Sequence, residues 1–71
     1  MENEQERIRL GLRIAELRKE RGWTQGELAE RCGLGRSHIV RIEQGAYNIQ
    51  LDTLALVAEA FGMSVELIEK K

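Results

Sequence analysis

The sequence contains no proline, one cysteine and one histidine. A lone cysteine cannot form an internal disulfide, and one cysteine with one histidine falls short of the three or four ligands that a protein zinc site needs. Cys32 follows the apolar residues Leu28 and Ala29, so we expect it to be a small buried residue. A glycine-rich phosphate loop is also missing, His38 has no second histidine nearby, and the carboxylates are scattered. We therefore expect neither an enzyme nor a bound cofactor or small-molecule ligand.

Long hydrophobic runs are missing as well. No apolar stretch approaches the ~20 residues that span a membrane, and the polar, acidic start MENEQER is unlike a signal peptide. These absences favour a cytoplasmic protein without a membrane partner. A chain of 71 residues forms a single domain, and so small a domain buries only about 60% of the surface that its unfolded chain exposes. We therefore expect oligomerisation or very regular helix packing to add to its stability.

The charges are unevenly distributed along the chain. The net charge of −1 argues mildly against nucleic-acid binding, for which a basic footprint is expected. From Arg7 to Arg21, however, six basic residues stand against two acidic ones, whereas from Ala46 onward four acidic residues stand against two basic ones. Because the average hides this asymmetry, nucleic acid stays open as a partner.

The pattern of apolar residues predicts an all-α fold. The sequence shows neither the alternation of a half-buried strand nor an Asn-Gly or Asp-Gly hairpin turn. Thr24, with Glu27 three residues later, forms a capping box, and glycines end the helices. Five helices are predicted: about Glu6 to Arg21, Gln25 to Cys32, Gly35 or Arg36 to Gly45, Leu51 to Phe61, and a short last helix capped by Ser64. Their predicted buried faces comprise Leu10, Ile14, Leu17, Leu28, Ala29, Ile39, Ile42, Leu51, Leu54, Val57, Ala58 and Phe61.

The second and third predicted helices have the spacing of a helix-turn-helix, over about residues 25–44. Ala29 is small where the two helices must approach closely, and Gly33 occupies the turn, where a positive φ is cheap only without a Cβ. Ile39 and Ile42 would anchor the second helix of the motif to the core. The outward face of that helix would then carry Arg36, Ser37, Val40, Arg41 and Gln44.

The stretch TQGELAERCGLGRSHIVRIEQG, between RIAELRKERGW and LDTLALVAEAFGMSVELI, resembles the Cro/CI-type phage-repressor family over about Leu10 to Ile68. Within that family, LGRSHIVRIEQGAYNIQL is most similar to the small controller proteins of restriction–modification systems. They share an Arg-Ser/Thr-aromatic start to helix three and Asn-Ile at the position of Asn48. The sequence departs from them at His38, where they carry tyrosine, and at Tyr47, where they often carry arginine.

The resemblance implies a sequence-specific transcriptional regulator, with residues 1–71 forming one lambda-repressor-like DNA-binding domain. Helix three would lie in the major groove of double-stranded DNA. A contact of four or five residues is too small to find one site in a genome, so a two-fold homodimer on a palindromic operator is expected. A regulator that activates would also have RNA polymerase as a partner, and the sequence does not separate activation from repression.

By this resemblance nine residues contact DNA: Gln25, Arg36, Ser37, His38, Val40, Arg41, Gln44, Tyr47 and Asn48. The family's glutamine at the position of Gln25 holds a phosphate at a helix N-terminus and braces helix three. Arg36 would read a guanine through O6 and N7. The competing interpretations are a solvated first-turn side chain at Gln25, and an exposed arginine at Arg36, alone or paired with Glu30.

Four further residues of helix three each have a structural alternative. Ser37 would reach a base edge or a phosphate, or serve only as a first-turn helix residue. His38 would donate to a phosphate or lie against the sugar–phosphate chain, or be an ordinary surface histidine. Val40 would contact a thymine methyl group, or be an isolated exposed apolar residue. Arg41 would reach a base or phosphate, or pair within the chain.

The loop after helix three supplies the last two proposed DNA contacts, and three further residues are expected to have structural roles. Tyr47 and Asn48 would contact phosphates. The alternatives are that the Tyr47 ring packs on helix four and that the Asn48 side chain stabilises a turn. In relatives, the pair that matches Arg18 and Glu43 forms a partly buried salt bridge between helices one and three, which implies a structural role for both. Trp23 occupies the hydrophobic-staple position before a cap, so we expect it in the core.

The C-terminal helices, predicted over residues 51–69, carry more apolar residues than one small domain can bury, which predicts a dimer interface. That interface would comprise Leu56, Met63, Val65 and Ile68. An antitoxin or another protein-interaction module on the same fold is the alternative function. A restriction–modification controller and a phage-type repressor are not separable from the sequence.

Overall fold

A computed structural model describes residues 3–46 and 48–70, and it is all-α, as predicted. Within those residues four helices are present: α1 Glu4–Glu20, α2 Gln25–Cys32, α3 Arg36–Glu43 and α4 Leu51–Ala60. The bounds predicted for the second helix are confirmed, and those of the other three differ by one to two residues at their ends. The predicted fifth helix is absent from the described part of the chain. None of its helices is long and apolar enough to cross a membrane.

Local hydrogen bonds explain why α2 begins and ends where it does. The Thr24 hydroxyl accepts from the Glu27 backbone N–H at 3.0 Å, and the Glu27 carboxylate accepts from the Thr24 backbone N–H at 2.8 Å. The predicted capping box is therefore formed, and it satisfies two otherwise unpaired donors. At the other end Gly33 adopts φ 73°, a left-handed conformation that ends the helix without the cost of a Cβ.

The core lies between all four helices. Its fully buried centre is Leu28, Ile39 and Val57, one residue each from α2, α3 and α4. Around them lie the other buried apolar residues: Ile14, Leu17, Ala29, Cys32, Ile42 and Phe61. Trp23 packs against this core with its ring stacked on that of Phe61, the centroids 5.7 Å apart. The predicted burial of Cys32 and the core position of Trp23 are confirmed.

The prediction that Leu51 is buried is wrong, because 67% of this residue is exposed. Leu51 is the first residue of α4. A helical side chain leans toward the N-terminus of its helix, so that of the first residue projects past the start of the helix instead of onto the core.

Two glycines allow α1 to lie directly against α3. A Cβ on Gly11 would come within 2.5 Å of the Ile42 carbonyl oxygen and 2.7 Å of the Glu43 carbonyl oxygen. Gly45 has φ 68°, and a Cβ there would meet the Ile8 Cα at 2.9 Å. Any larger residue at either position would push the helices apart, so these glycines set the position of α3 relative to α1.

Residues 63–70, the C-terminal segment, follow α4 without a helix. The Ser64 hydroxyl does not cap a helix but donates to the Glu66 carboxylate at 2.9 Å. Leu67 is 102% exposed and Ile68 is 86% exposed. A helix this short is unstable in water unless an apolar face is covered, and residues 3–46 and 48–70 leave these two side chains uncovered.

Candidate nucleic-acid interface

Helices α2 and α3 pack against each other and are joined by a turn of three residues, Gly33 to Gly35. The Leu34 backbone N–H donates to the Ala29 carbonyl at 2.9 Å, which closes the end of α2. Ala29 is 3% exposed, which fits its predicted place at the close approach of the two helices. Ile39 and Ile42 are buried and attach α3 to the core as predicted. The opposite face of α3 is thereby held outward.

That outward face is open to solvent over most of its length. Arg36, Ser37, Arg41 and Gln44 are exposed, while His38 and Val40 are half-buried. Val40 is therefore not a fully exposed apolar residue. In the part of the chain that the structure describes, Arg36 forms no ion pair, so the alternative of an Arg36–Glu30 pair is not realised.

The first turn of α2 adjoins this face. The Arg36 Cδ atom would lie 3.9 Å from a Cβ built on Gly26, so the Arg36 stem passes beside the first turn of α2. Gln25, the residue before Gly26, is the first residue of that helix and is half-buried. Because the Thr24 hydroxyl accepts only the N–H of Glu27, the N–H groups of Gln25 and Gly26 stay available to an anion at the positive end of the helix dipole.

A hydrogen-bonded network ties three helices together behind the exposed face. Arg18 of α1 binds both carboxylate oxygens of Glu43 on α3, with Nε–Oε2 at 2.6 Å and a second guanidinium nitrogen to Oε1 at 3.1 Å. The Gln25 side-chain amide of α2 donates to Glu43 Oε1 at 3.0 Å. Arg18 also donates to the Trp23 carbonyl at 2.8 Å. Glu43 is therefore the point at which α1, α2 and α3 are joined.

The network is largely shielded from water. The side chains of Arg18 and Glu43 are 11% and 7% exposed, and within the described residues no buried side-chain polar atom lacks a partner. The hydrogen bond from Arg18 to Glu43 raises the pKa of the guanidinium above its ordinary value. The ion pair that the resemblance implied is thus present, and the bond from Gln25 braces α3 in the same way.

One predicted contact residue, Asn48, lies apart from the face of α3. Asn48 is exposed in the loop between α3 and α4, where it borders a groove between α1 and α4. Tyr47 lies outside the described residues. Within residues 3–46 and 48–70, no group of three or more histidine, cysteine or carboxylate side chains could hold a metal ion.

Sequence reasoning missed Arg7, which lies on α1 and donates from Nε to the Gly45 carbonyl at 3.4 Å. A cation at the C-terminal end of a helix interacts favourably with the negative end of its dipole, so Arg7 helps to hold the end of α3. No sequence signal identifies it, since its role depends on the crossing of α1 and α3. The only sequence feature noted above that includes Arg7 is the excess of basic residues from Arg7 to Arg21.

Comparison with known proteins places this geometry among DNA-binding folds. A family model described as helix-turn-helix, HTH_3, matches residues 14–68. The immunity repressor protein of Bacillus phage phi105 is 48% identical over 59 residues, which cover 83% of this chain and 41% of the repressor. The chain therefore spans less than half the length of that relative.

Two solved structures are similar over most of the chain. The restriction–modification controller protein C.AhdI from Aeromonas hydrophila has a TM-score of 0.83 and 30% identity, over 90% of this chain and 93% of that one. The controller protein C.Esp1396I, solved as a tetramer with its natural 35 base-pair operator, has a TM-score of 0.75 and 30% identity, over 80% of this chain and 75% of that one.

Proposed function

The chain belongs to the Cro/CI-type helix-turn-helix family, and on this premise we propose that it is a sequence-specific transcriptional regulator that binds a palindromic operator as a homodimer. Regulators of this family are not enzymes, in agreement with the exclusion of catalysis from the sequence. One observation carries the proposal. The exposed face of α3 is held by buried Ile39 and Ile42, and Glu43 braces the helix to α1 and α2.

This arrangement suits two kinds of DNA contact, one to phosphates that positions the protein and one to base edges that reads the sequence. Phosphate contacts fix the orientation of a protein on the duplex, and contacts to base edges carry the sequence information. Gln25 has one amide hydrogen engaged by Glu43, so its second amide hydrogen and the N-terminus of α2 suit a phosphate. Arg36 is exposed beside that turn and suits guanine O6 and N7, a bidentate pair worth about 1–3 kcal/mol of discrimination.

The other proposed DNA contacts follow from their places on the same helix and loop. Ser37, Arg41 and Gln44 are exposed on α3 and suit base edges or phosphates. The half-buried His38 and Val40 suit the sugar–phosphate chain and a thymine methyl group. Asn48 and Tyr47, in the loop after α3, complete the proposed contact surface as phosphate ligands.

The homodimer is proposed from the apolar surface at the C-terminal end. Leu56, Met63 and Val65 are 45%, 47% and 43% exposed, and Ile68 is 86% exposed. Large apolar side chains left exposed in this way favour an interface. A two-fold contact uses the same patch on both copies, which matches the symmetry of a palindromic operator.

Within this function we propose the controller class of restriction–modification systems. What supports it is the match with C.AhdI, which extends over 93% of that controller, whereas the match with the phage repressor covers 41% of that protein. The genes beside the coding sequence test this assignment. An adjacent endonuclease and methyltransferase would support a controller, phage genes a repressor, and a toxin gene an antitoxin.

The regulator itself is tested by selecting duplexes from a random DNA library with the purified protein. We expect enrichment of a palindrome whose half-sites lie about one helical turn apart, 10–10.5 base pairs from centre to centre. Binding to the selected duplex should exceed binding to unselected duplex by at least about a thousandfold. Failure to enrich any sequence, with a folded protein, would contradict the proposal.

A further inference from the structure

A groove of about 480 Å³ lies between α1, α4 and the start of the C-terminal segment. The closely packed helix pairs are α2 with α3, α1 with α3, and α2 with α4, so α1 and α4 are not closely packed against each other, and this space lies between them. Its floor is apolar, and the residues that line it include Leu10, Ile14, Leu54, Val57 and Phe61. The volume is in the range of sites that bury a bound group, about 300–1,000 Å³.

The rim of the groove on the α1 side is basic. Arg9 and Arg13 line it one helical turn apart, and their side chains are 69% and 50% exposed. Each is paired with a carboxylate three residues away on the same helix, Arg9 with Glu6 and Arg13 with Glu16. Exposed pairs of this kind contribute little stability, so the two guanidinium groups exchange partners at little cost.

The C-terminal segment has the complementary composition. Its residues 66–69 read Glu-Leu-Ile-Glu, two apolar side chains between two carboxylates. Leu67 and Ile68 are the most exposed large apolar residues of the described chain. Only the first four residues of the segment, Met63 to Glu66, border the groove, so the two apolar side chains stay outside it.

We propose that the groove receives residues 66–69 of a second copy of this chain, and that two copies exchange these segments reciprocally about a two-fold axis. Leu67 and Ile68 of one copy cover the apolar floor of the other, while Glu66 and Glu69 meet Arg9 and Arg13 on the rim. The contact is self-complementary, as a two-fold interface requires, and it forms twice in each dimer. This assignment rests on the homodimer of the proposed function and adds α1 to the interface.

A second copy fits the groove better than the chain's own segment. Met63 to Glu66 form one wall of the groove, so Leu67 and Ile68 of the same chain reach the floor only by displacing that wall. The first four residues of the segment therefore run along the edge of the groove, and its open side is left for another chain.

Paired charge reversals test the exchange. The groove variant carries Arg9→Glu and Arg13→Glu, and the segment variant carries Glu66→Lys and Glu69→Lys. Each variant alone juxtaposes like charges in both grooves, so we expect its dimer dissociation constant to rise by roughly tenfold or more in sedimentation equilibrium. In an equimolar mixture every groove meets a segment of opposite charge, and we expect the heterodimer to regain the wild-type dissociation constant.

Two controls isolate the groove from general charge and hydrophobicity. The variants have opposite net charge, so the mixture is measured at about 0.15 M salt, where attraction beyond about 8 Å is screened. Lys19→Glu mixed with Glu20→Lys reverses exposed charges on α1 outside the groove and should leave the dimer unchanged. Leu67→Ser should weaken the dimer, whereas Leu51→Ser, at an exposed leucine that does not border the groove, should not.

The outcomes separate this assignment from the proposed function. The exchange would be overturned if the variants dimerise like wild type, or if the mixture is no more dimeric than its components. If the dimer is rescued only when all four reversals are in one chain, the segment docks in the groove of its own chain. If the exchange is overturned but the wild type still selects a palindrome, the proposed regulator function is supported without the exchange. If the mixture rescues the dimer but no duplex is selected, the exchange is supported and the proposed regulator function is contradicted.

Discussion

Arg18 and Glu43 form a bidentate ion pair that joins α1 to the end of α3, with Nε–Oε2 at 2.6 Å and side chains that are 11% and 7% exposed. Gln25 shares the Glu43 carboxylate, so the residue proposed to hold a phosphate is connected to the helix proposed to read bases. The orientation of α3 that we propose on DNA would therefore depend on a network that lies behind the exposed face of the helix.

Removal of either member of the ion pair should destabilise the protein. Arg18→Ala leaves a nearly buried carboxylate, and Glu43→Ala leaves a nearly buried guanidinium, so each should lower the free energy of unfolding by a few kcal/mol, within the ~3–5 found for buried pairs. The double variant should lose less stability than the sum of the two single losses, because it leaves neither charge unpaired. Urea denaturation of the four proteins measures this cycle, and strict additivity would show that the two side chains do not interact.

Base reading should depend on Arg36. Arg36→Ala is expected to cost about 1–3 kcal/mol on the selected operator and to relax the preference at one base pair. Gln25→Ala should instead weaken all duplexes about equally, because a phosphate contact carries no sequence information. Footprinting titrations on the operator and on single-base variants compare the two. An unchanged operator affinity for Arg36→Ala would exclude Arg36 as a base contact.

Dimerisation should depend on the C-terminal segment. A carboxylate introduced by Val65→Glu would have to be buried in the apolar interface, so the variant is expected to be a folded monomer with greatly reduced operator affinity. Leu51→Glu provides the control, because Leu51 is exposed and lies outside the proposed interface. Sedimentation decides the matter: a Val65→Glu protein that is dimeric at micromolar concentration places the interface elsewhere.

The two glycines Gly11 and Gly26 should respond oppositely to alanine. At Gly11 the new methyl group would meet the Ile42 and Glu43 carbonyls at 2.5 and 2.7 Å, an overlap expected to cost about 1–3 kcal/mol. At Gly26 the nearest atoms would lie at 3.8 and 3.9 Å, so the helix gains about 0.4–1 kcal/mol from the lost freedom of the unfolded glycine. Thermal unfolding of both variants, with operator affinity measured in parallel, tests whether Gly11 sets the position of α3.

The capping box of α2 should make stability depend on acid pH. Hydrogen bonds from the backbone and the hydroxyl of Thr24 lower the pKa of Glu27 below its ordinary value of 4.5. A carboxyl whose pKa is lower in the folded state contributes stability that is present above the unfolded value and lost as the pH falls through the folded value. The difference in melting temperature between wild type and Glu27→Gln should therefore shrink below pH 4.5. A difference that is constant down to full protonation would contradict this role.

Much of the motif is determined locally and was therefore predictable from sequence. The bounds of α2 depend on Thr24, Glu27 and Gly33, whose interactions reach no further than about one helical turn along the chain. The burial of Ile39 and Ile42 follows from their spacing on a helix that must cover an apolar face. Family resemblance added the pairing of Arg18 with Glu43, which are 25 residues apart and which no local pattern connects.

Tertiary structure decided the features that depend on how helices meet. Arg7 reaches the end of α3, and Gly11 allows α1 to touch it, only because these two helices cross where they do. Leu51 has helical spacing with buried residues yet is exposed, because its side chain projects past the start of α4. The segment after Gly62 has the composition of a short amphipathic helix, but periodicity alone does not stabilise a helix. Its apolar side chains need a surface to cover, and the described residues of the same chain provide none for Leu67 and Ile68.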